Sequence, residues 1–137
     1  MCDVKKLIFL LAAILLLPSI SFSADEGKPY VASAAPDGKE HITITGGSYF
    51  FRPDNIVVRV NVPVELKVVA EPSWLITHDF VLKAPGVDIK TSISTVPKVF
   101  EFTPTRTGDY KFYCDKRFLF FESHRARGME GTLRVVE

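Results

Sequence analysis

Three side chains with metal-binding atoms lie close together near the end of this chain. Cys114 is followed after nine residues by His124, and Met129 comes after four more. Beyond the first two residues the sequence has no other Cys or Met, and it has only two other His. Thiolate and thioether sulfurs are soft ligands and imidazole nitrogen is a borderline one, so this set favours a transition metal. One loop could supply all three.

The fourth ligand of such a site would be His78, at the start of a separate predicted strand. Zinc sites are built from thiolates, imidazoles and carboxylates. Two His and one Cys in a trigonal arrangement, with a long and weak bond to Met, are typical of a mononuclear centre that cycles between Cu(I) and Cu(II). The predicted cofactor is therefore one copper ion, and the candidate ligands are His78, Cys114, His124 and Met129.

Short runs of β-branched and aromatic residues would position these ligands. Six prolines between residues 53 and 104 oppose long helices, and no segment has a sustained helical apolar stripe. The runs are bounded by Pro, Gly, Asn or Asp and cover residues 41–45, 55–60, 64–70, 78–82, 98–103, 109–113 and 131–136. This pattern predicts an all-β fold, a Greek-key antiparallel β-sandwich of about seven or eight strands.

Strand alternation indicates where the cysteine points. Tyr110, Phe112 and Cys114 share one face of their strand, which we take to be the core side. The strand that His78 opens could end at the same pole of the sandwich. The aromatic residues expected to fill the core are Trp74, Phe50, Phe51, Phe80, Phe100, Phe102 and Phe112.

The N-terminus has the pattern of a secretory signal. Lys5 and Lys6 precede an apolar run over 7–17, and Ser21 and Ser23 are small residues at a plausible cleavage site. The mature protein is expected to be periplasmic or otherwise secreted, monomeric and free of membrane contact once the signal is cleaved. The predicted organisation is a signal peptide over 1–23, a flexible lead-in over 24–39 and one copper-binding domain over 40–137.

The balance of charge argues against nucleic acid as a partner. A mature chain that begins after residue 23 would carry fifteen basic and fifteen acidic residues, so nucleic acid is not an expected partner.

Exported thiols normally form disulfides, yet Cys114 would have no partner within the mature chain. It could be a buried inert thiol, half of an intermolecular disulfide or a metal ligand. The neighbouring His124 and Met129 favour the ligand.

The chain resembles the cupredoxins, which are small secreted or periplasmic β-sandwich copper proteins. The residues that carry this resemblance are Thr77-His78-Asp79-Phe80, Phe100-Glu101-Phe102-Thr103-Pro104, Gly108-Asp109-Tyr110, Tyr113-Cys114-Asp115, Ser123-His124-Arg125 and Gly128-Met129-Glu130-Gly131-Thr132-Leu133. The resemblance implies that His78, Cys114 and His124 are strong copper ligands and that Met129 is a weak axial one. It also implies electron transfer through the edge of His124.

Two features depart from the family pattern. Many cupredoxins have Asn directly after the first ligand His, where this chain has Asp79, and an ionised carboxylate close to the Cys sulfur would stabilise Cu(II). The segment 115–123 is also longer than in plastocyanin-like members. It carries four consecutive apolar residues, Phe118–Phe121, among basic ones. We expect this loop to frame His124 and to dock a redox partner such as a cytochrome, oxidase or reductase, with the basic residues steering an acidic surface.

Three functions remain open at this point. The first is an electron carrier with no catalytic turnover, which a single thiolate and a thioether favour because they suit reversible redox chemistry. The second is a copper chaperone or tolerance protein that holds the ion for delivery. The third is a copper enzyme whose open coordination position binds a small molecule. No Ser-His-Asp set or phosphate-binding loop suggests another chemistry.

Overall fold

The computed structural model describes residues 27–73 and 77–137, which form two β-sheets packed on each other. These ranges contain no helix, and hence none with the length and apolar character that crossing a membrane requires. The predicted all-β class is therefore confirmed. The predicted signal peptide over 1–23 lies outside the described residues, as does Trp74.

Ten strands form in the described ranges. They are β1 (Tyr30–Val31), β2 (Glu40–Gly47), β3 (Phe50–Arg52), β4 (Asn55–Arg59), β5 (Val64–Ala70), β6 (His78–Ala84), β7 (Val87–Ile93), β8 (Lys98–Phe102), β9 (Gly108–Tyr113) and β10 (Glu130–Val136). Seven of them correspond to the seven predicted runs, with ends that differ by at most two residues. The prediction missed β1, β3 and β7. Of these, β7 has the sequence VDIKTSI, which alternates apolar and polar residues over most of its length. This alternation could have predicted the strand.

The two sheets are mixed, which corrects the prediction of a purely antiparallel sandwich. One has the strand order β1-β4-β10-β9-β6-β7 and the other the order β3-β2-β5-β8. The pairs β1–β4, β4–β10 and β2–β5 are parallel, and the remaining pairs are antiparallel. Parallel neighbours require a long connection between them, here through strands of the opposite sheet. Local alternation carries no information about that connection.

Pairing begins before residue 40, within the segment predicted to be a flexible lead-in over 24–39. Tyr30 and Val31 pair with Ile56 and Val57 of β4. The next amide, of Ala32, donates a hydrogen bond to the Val57 carbonyl over 2.9 Å, and the Ala32 side chain is buried. A two-residue strand is too short to show alternation, so a composition rich in Ala, Pro and Gly concealed it.

Three phenylalanines join the two sheets at the centre of the core. Phe51 of β3 meets Phe80 of β6 and Phe112 of β9, with ring centroids 5.6 Å apart in both pairs. All three rings are almost fully buried, and their edge-to-face contacts add to the burial energy. Gly131 lies opposite Phe112, where a β-carbon would come within 2.1 Å of the ring. Glycine is therefore required there by close packing.

The strands that carry the candidate ligands end at one pole of the sandwich. β9 lies between β10 and β6, and it runs antiparallel to both. The end of β9 at Tyr113 therefore faces the beginning of β10 at Glu130 and lies near the beginning of β6 at His78. Positions 78, 114 and 129 are brought together by strand register.

An ion pair between a buried carboxylate and a half-exposed arginine links the two sheets on the β2–β4 side. Glu40 of β2 is fully buried, and its carboxylate accepts one hydrogen bond from Arg59 Nε over 2.8 Å and one from the Arg59 amide over 3.1 Å. Arg59 of β4 is half exposed. Removing the guanidinium would leave a buried carboxylate with only the amide to stabilise its charge.

We expect Arg59→Met to lower the free energy of unfolding by about 3 kcal/mol, because the buried Glu40 carboxylate would lose its charged partner. Chemical denaturation would measure the change. The matched control is Arg134→Met, which removes an arginine that forms two hydrogen bonds to Asp109 with both side chains about half exposed. That exposed pair should contribute much less. Equal losses in the two variants would contradict the expectation.

Candidate metal centre

His78, Cys114 and His124 form a buried cluster at this pole. One ligand atom from each residue lies within 4.8 Å of the other two. The Nδ1 atoms of the two histidines are 3.1 Å apart, and Cys114 Sγ lies 3.5 Å from His124 Nδ1. Two imidazole nitrogens and one sulfur thus face a common point. The tertiary structure brings together three of the four predicted ligands, and these donors fit a thiophilic transition metal.

A relay of backbone hydrogen bonds positions the ligands from the loop. The His124 amide donates to the Lys116 carbonyl over 2.9 Å, the Met129 amide to the His124 carbonyl over 3.0 Å, and the Cys114 amide to the Met129 carbonyl over 3.1 Å. The loop after Cys114 therefore returns past His124 to the same strand end. Each of the three predicted loop ligands is bonded through its backbone to at least one of the others.

A tight turn directs the chain from His124 to Met129. The Ala126 amide donates to Ser123 Oγ over 3.1 Å, and the Gly128 amide donates to the Arg125 carbonyl over 3.0 Å. Gly128 has a φ of 101°, a backbone conformation that glycine adopts without steric cost. The sequence Ser123 to Gly128 thus contains both the side-chain acceptor and the glycine that the turn requires.

Met129 is fully buried at the interface with the opposite sheet. Gly46 of β2 faces its methyl group, and a β-carbon at Gly46 would lie 3.4 Å from that methyl and 2.6 Å from Ile93. A side chain at position 46 would therefore press on both. The structure places Met129 next to His124 and Cys114 along the backbone relay, and its axial coordination stays a prediction.

Burial sets the protonation of the three donors. Desolvation lowers the pKa of His78, with a smaller effect of the neighbouring His124 in the same direction. Desolvation also lowers the pKa of His124, and the charge of Arg127 adds to this. Both imidazoles are thereby kept neutral, the form that binds metal. Desolvation raises the pKa of Cys114, although the amides of Asp79 and Lys116 that donate to its sulfur oppose the rise. A metal ion would have to displace the thiol proton.

Asp79 connects the strand of the first histidine to the ligand loop. Its amide donates to Cys114 Sγ over 3.3 Å, and its carboxylate accepts a hydrogen bond of 2.8 Å from the Ser92 hydroxyl. The same carboxylate oxygen lies 3.6 Å from Lys116 Nζ. Because the Lys116 carbonyl accepts the His124 amide, Asp79 holds the residue to which the second histidine is bonded. The Lys116 ammonium also offsets the negative charge near the sulfur.

Tyr49, which no sequence motif indicated, packs against the cluster from the turn between β2 and β3. Its ring meets His124 edge-to-face at 5.0 Å between centroids and His78 at 6.3 Å. The Arg127 guanidinium lies 4.1 Å above the centre of the Tyr49 ring. Tyr49 has a φ of 65°, where a bulky side chain is uncommon and strained. The only local pattern that marks this turn is the pair Gly46-Gly47 just before it, and such a pair does not predict that Tyr49 contacts two distant histidines.

The loop between Cys114 and His124 exposes all four of its apolar residues. Phe118, Leu119 and Phe121 are each about two-thirds exposed, and Phe120 is fully exposed. Phe118 and Phe121 stack on each other with centroids 6.1 Å apart. The sequence-based expectation that this loop frames His124 agrees with a cleft of about 520 Å³ whose walls include both stacked rings and His124.

The sequence matches no family model and no curated protein, whereas many solved structures share the fold. The metal-binding domain of the Cu(I)-exporting P-type ATPase CopA from Streptococcus pneumoniae D39, solved with Cu(I), is 22% identical. It has a TM-score of 0.53, and the alignment covers 80% of this chain and 97% of that one. Auracyanin A, a blue copper protein from Chloroflexus aurantiacus, is 17% identical with a TM-score of 0.56, over 72% of this chain and all of that one.

The periplasmic domain of cytochrome oxidase subunit II (CoxB) from Bradyrhizobium japonicum is also similar. It is 20% identical with a TM-score of 0.54, and the alignment covers 71% of this chain and 83% of that one. Identities this low establish the fold and leave the activity open. The chain therefore has the β-sandwich fold of the cupredoxins, as its resemblance to that family predicted.

Proposed function

We propose that this chain is an exported mononuclear copper protein that carries electrons between redox partners. The observation that supports this proposal best is the convergence of the buried donors of His78, Cys114 and His124 within 4.8 Å. Two neutral imidazoles and one thiolate, with the thioether of Met129 as a weak fourth ligand, suit copper. Copper held by this set would supply reversible one-electron exchange between Cu(I) and Cu(II).

The surrounding chain would keep the site rigid and dry. His78 is fixed in a strand that is paired on both sides, and the loop ligands are held by the backbone relay. Little rearrangement would then accompany a change in oxidation state, which favours fast transfer. His124 is the most exposed of the three donors, at 9%, and it borders the cleft. We infer that electrons pass through its ring.

The loop Phe118–Phe121 is the proposed docking surface for the redox partner. Its exposed apolar side chains are adjacent to His124, and large exposed apolar patches usually mark interaction sites. Of the basic residues around it, Lys116 and Arg125 pair with Asp79 and Glu130. Arg117 and Arg127 contact no carboxylate in the described parts of the chain, and they are left to attract an acidic partner.

A copper chaperone is the second candidate. The similarity to the metal-binding domain of a Cu(I)-exporting ATPase is the observation that favours it. A chaperone would release Cu(I) readily to an acceptor and exchange electrons slowly. The electron self-exchange rate of the copper-loaded protein separates the two roles, because a rigid carrier site predicts fast exchange.

An enzymatic role requires an open coordination position. The full burial of Met129 and the edge-to-face contacts of Tyr49 on both histidines argue for a closed site. We therefore propose a carrier with no turnover of its own. Export rests on the N-terminal signal pattern and agrees with the periplasmic origin of the CoxB domain.

We expect the Cu(II)-loaded mature domain to have an intense thiolate-to-copper charge-transfer band and a narrow copper hyperfine splitting. Both should disappear in Cys114→Ser, because the sulfur supplies the transition. Visible absorption and electron paramagnetic resonance would measure them. His78→Asn should also abolish the narrow splitting, whereas the matched control His41→Asn should not, because His41 lies on the surface bonded to Asp37 and Glu65. A weak spectrum that is unaffected by Cys114→Ser would refute the site.

Two different replacements of Met129 should shift the reduction potential of the copper site in opposite directions. Met129→Leu removes the thioether and leaves an apolar wall, which favours the less charged Cu(I) and raises the potential. Met129→Gln offers an oxygen, which favours Cu(II) and lowers it. Spectroelectrochemical titration would measure both, with thermal unfolding to verify that each variant folds. Unchanged potentials in two folded variants would remove Met129 from the coordination sphere.

Charge reversal at the docking surface should alter electron transfer to small charged reagents. We expect Arg117→Glu with Arg127→Glu to slow oxidation of the reduced protein by ferricyanide and to accelerate oxidation by a cationic cobalt(III) complex, because the local potential changes sign. Stopped-flow rates at several salt concentrations would measure this. Arg106→Glu, in the loop before β9 at the opposite pole, is the control. Rates and salt dependence identical to those of the unmodified protein would exclude steering by these arginines.

A further inference from the structure

The cleft beside His124 combines aromatic faces with cationic groups. Its volume of about 520 Å³ lies within the range of small-molecule sites, roughly 300–1,000 Å³. The aromatic and cationic residues that would contact a ligand line this cleft, and they are Tyr49, Arg117, Phe118, Phe121, His124 and Arg127. Leu119 and Phe120 do not line it and are left for contacts with a protein partner.

Three aromatic rings, of Tyr49, Phe118 and Phe121, contribute flat surfaces to the walls of the cleft. Phe118 and Phe121 are nearly parallel, with an angle of 22° between their planes. On the other side Tyr49 is held between the Arg127 guanidinium and the ring of His124. A planar ring system would find apolar faces on more than one wall of this cleft.

The electrostatic character of the cleft is cationic. Arg117 donates from Nε to the Phe121 carbonyl over 3.3 Å, which leaves the other donors of its guanidinium for a ligand. Arg127 is engaged with the face of Tyr49. Neither arginine meets a carboxylate in residues 27–73 and 77–137, and Glu122 is the only acidic group among the described lining residues. A carboxylate or sulfonate would therefore find charge-assisted donors here.

We propose that this cleft binds a flat aromatic molecule that carries an anionic group. The rings would pack on Phe118, Phe121 and Tyr49, and the anion would face Arg117 and Arg127. The ligand would then lie against His124, the residue through which the proposed function passes electrons. Binding of this ligand would depend on the residues of the cleft and not on a metal ion. The ligand proposal and the electron-transfer proposal can therefore fail separately.

The experiment is a fluorescence titration of the metal-free mature protein with 2-naphthoate. We expect saturable binding at one site, and binding at least roughly tenfold weaker for naphthalene-2-methanol, which has the rings without the charge, and for acetate, which has the charge without the rings. NMR signals of Tyr49 and His124 should shift with the same saturation curve. Failure to saturate, or equal affinity for naphthalene-2-methanol, would overturn the proposal.

Three variants locate the site, each paired with a control at a residue that does not line the cleft. Arg117→Gln and Arg127→Gln should each weaken 2-naphthoate binding by roughly tenfold, whereas Arg106→Gln should not. Phe121→Ala should weaken it, whereas Phe120→Ala, on the exposed tip of the same loop, should not. If Arg127→Gln unfolds the protein by removing the support of Tyr49, Arg117→Gln and the phenylalanine pair still test whether 2-naphthoate binds in the cleft. Equal effects within a pair would overturn the assignment, and the copper spectrum measured in parallel reports separately on the proposed function.

Discussion

The burial of three donor groups at one strand end is the constraint on which the rest of this structure depends. Two imidazoles and a thiol placed out of water are tolerable when they are neutral or when a metal ion bonds to them, because an isolated charge there would be costly. Desolvation accordingly lowers the pKa of His78 and His124 and raises that of Cys114. The pole of the sandwich therefore holds two nitrogen donors and one sulfur donor within 4.8 Å of one another, in an environment that favours their neutral forms. Such a set fits a soft or borderline transition metal.

Keeping the donors in place requires connections to both sheets. The register of β6, β9 and β10 brings positions 78, 114 and 129 together, the backbone relay holds the loop, and Tyr49 reaches across from the other sheet. Asp79 adds an ion pair with Lys116 that restrains the start of the loop. These connections are short and belong to different elements. Displacing one ligand would therefore disturb hydrogen bonds or packing in another element, which is the mechanical basis for a rigid site.

The interior and the rim of the pole have opposite properties. The donors are buried and burial favours their neutral forms, whereas the loop above them exposes four apolar side chains beside two arginines that lack a carboxylate partner within the described residues. His124 belongs to both regions, since it is a donor in the cluster and a wall of the cleft. This dual position is the reason why we propose that electrons pass through its ring.

The sequence by itself determined the features that depend on neighbours along the chain. Short β-branched and aromatic runs bounded by turn residues located seven of the strands, and the spacing of Cys114, His124 and Met129 indicated one ligand loop, because residues so close in sequence must share a turn or adjoining strand ends. The parallel pairs, the contacts of Tyr49, the ion pair between Asp79 and Lys116, and the cleft were decided by the tertiary structure alone. Each joins residues that only the path of the chain between the two sheets brings together. Local periodicity specifies which face of a strand is buried, but not which distant strand packs against it.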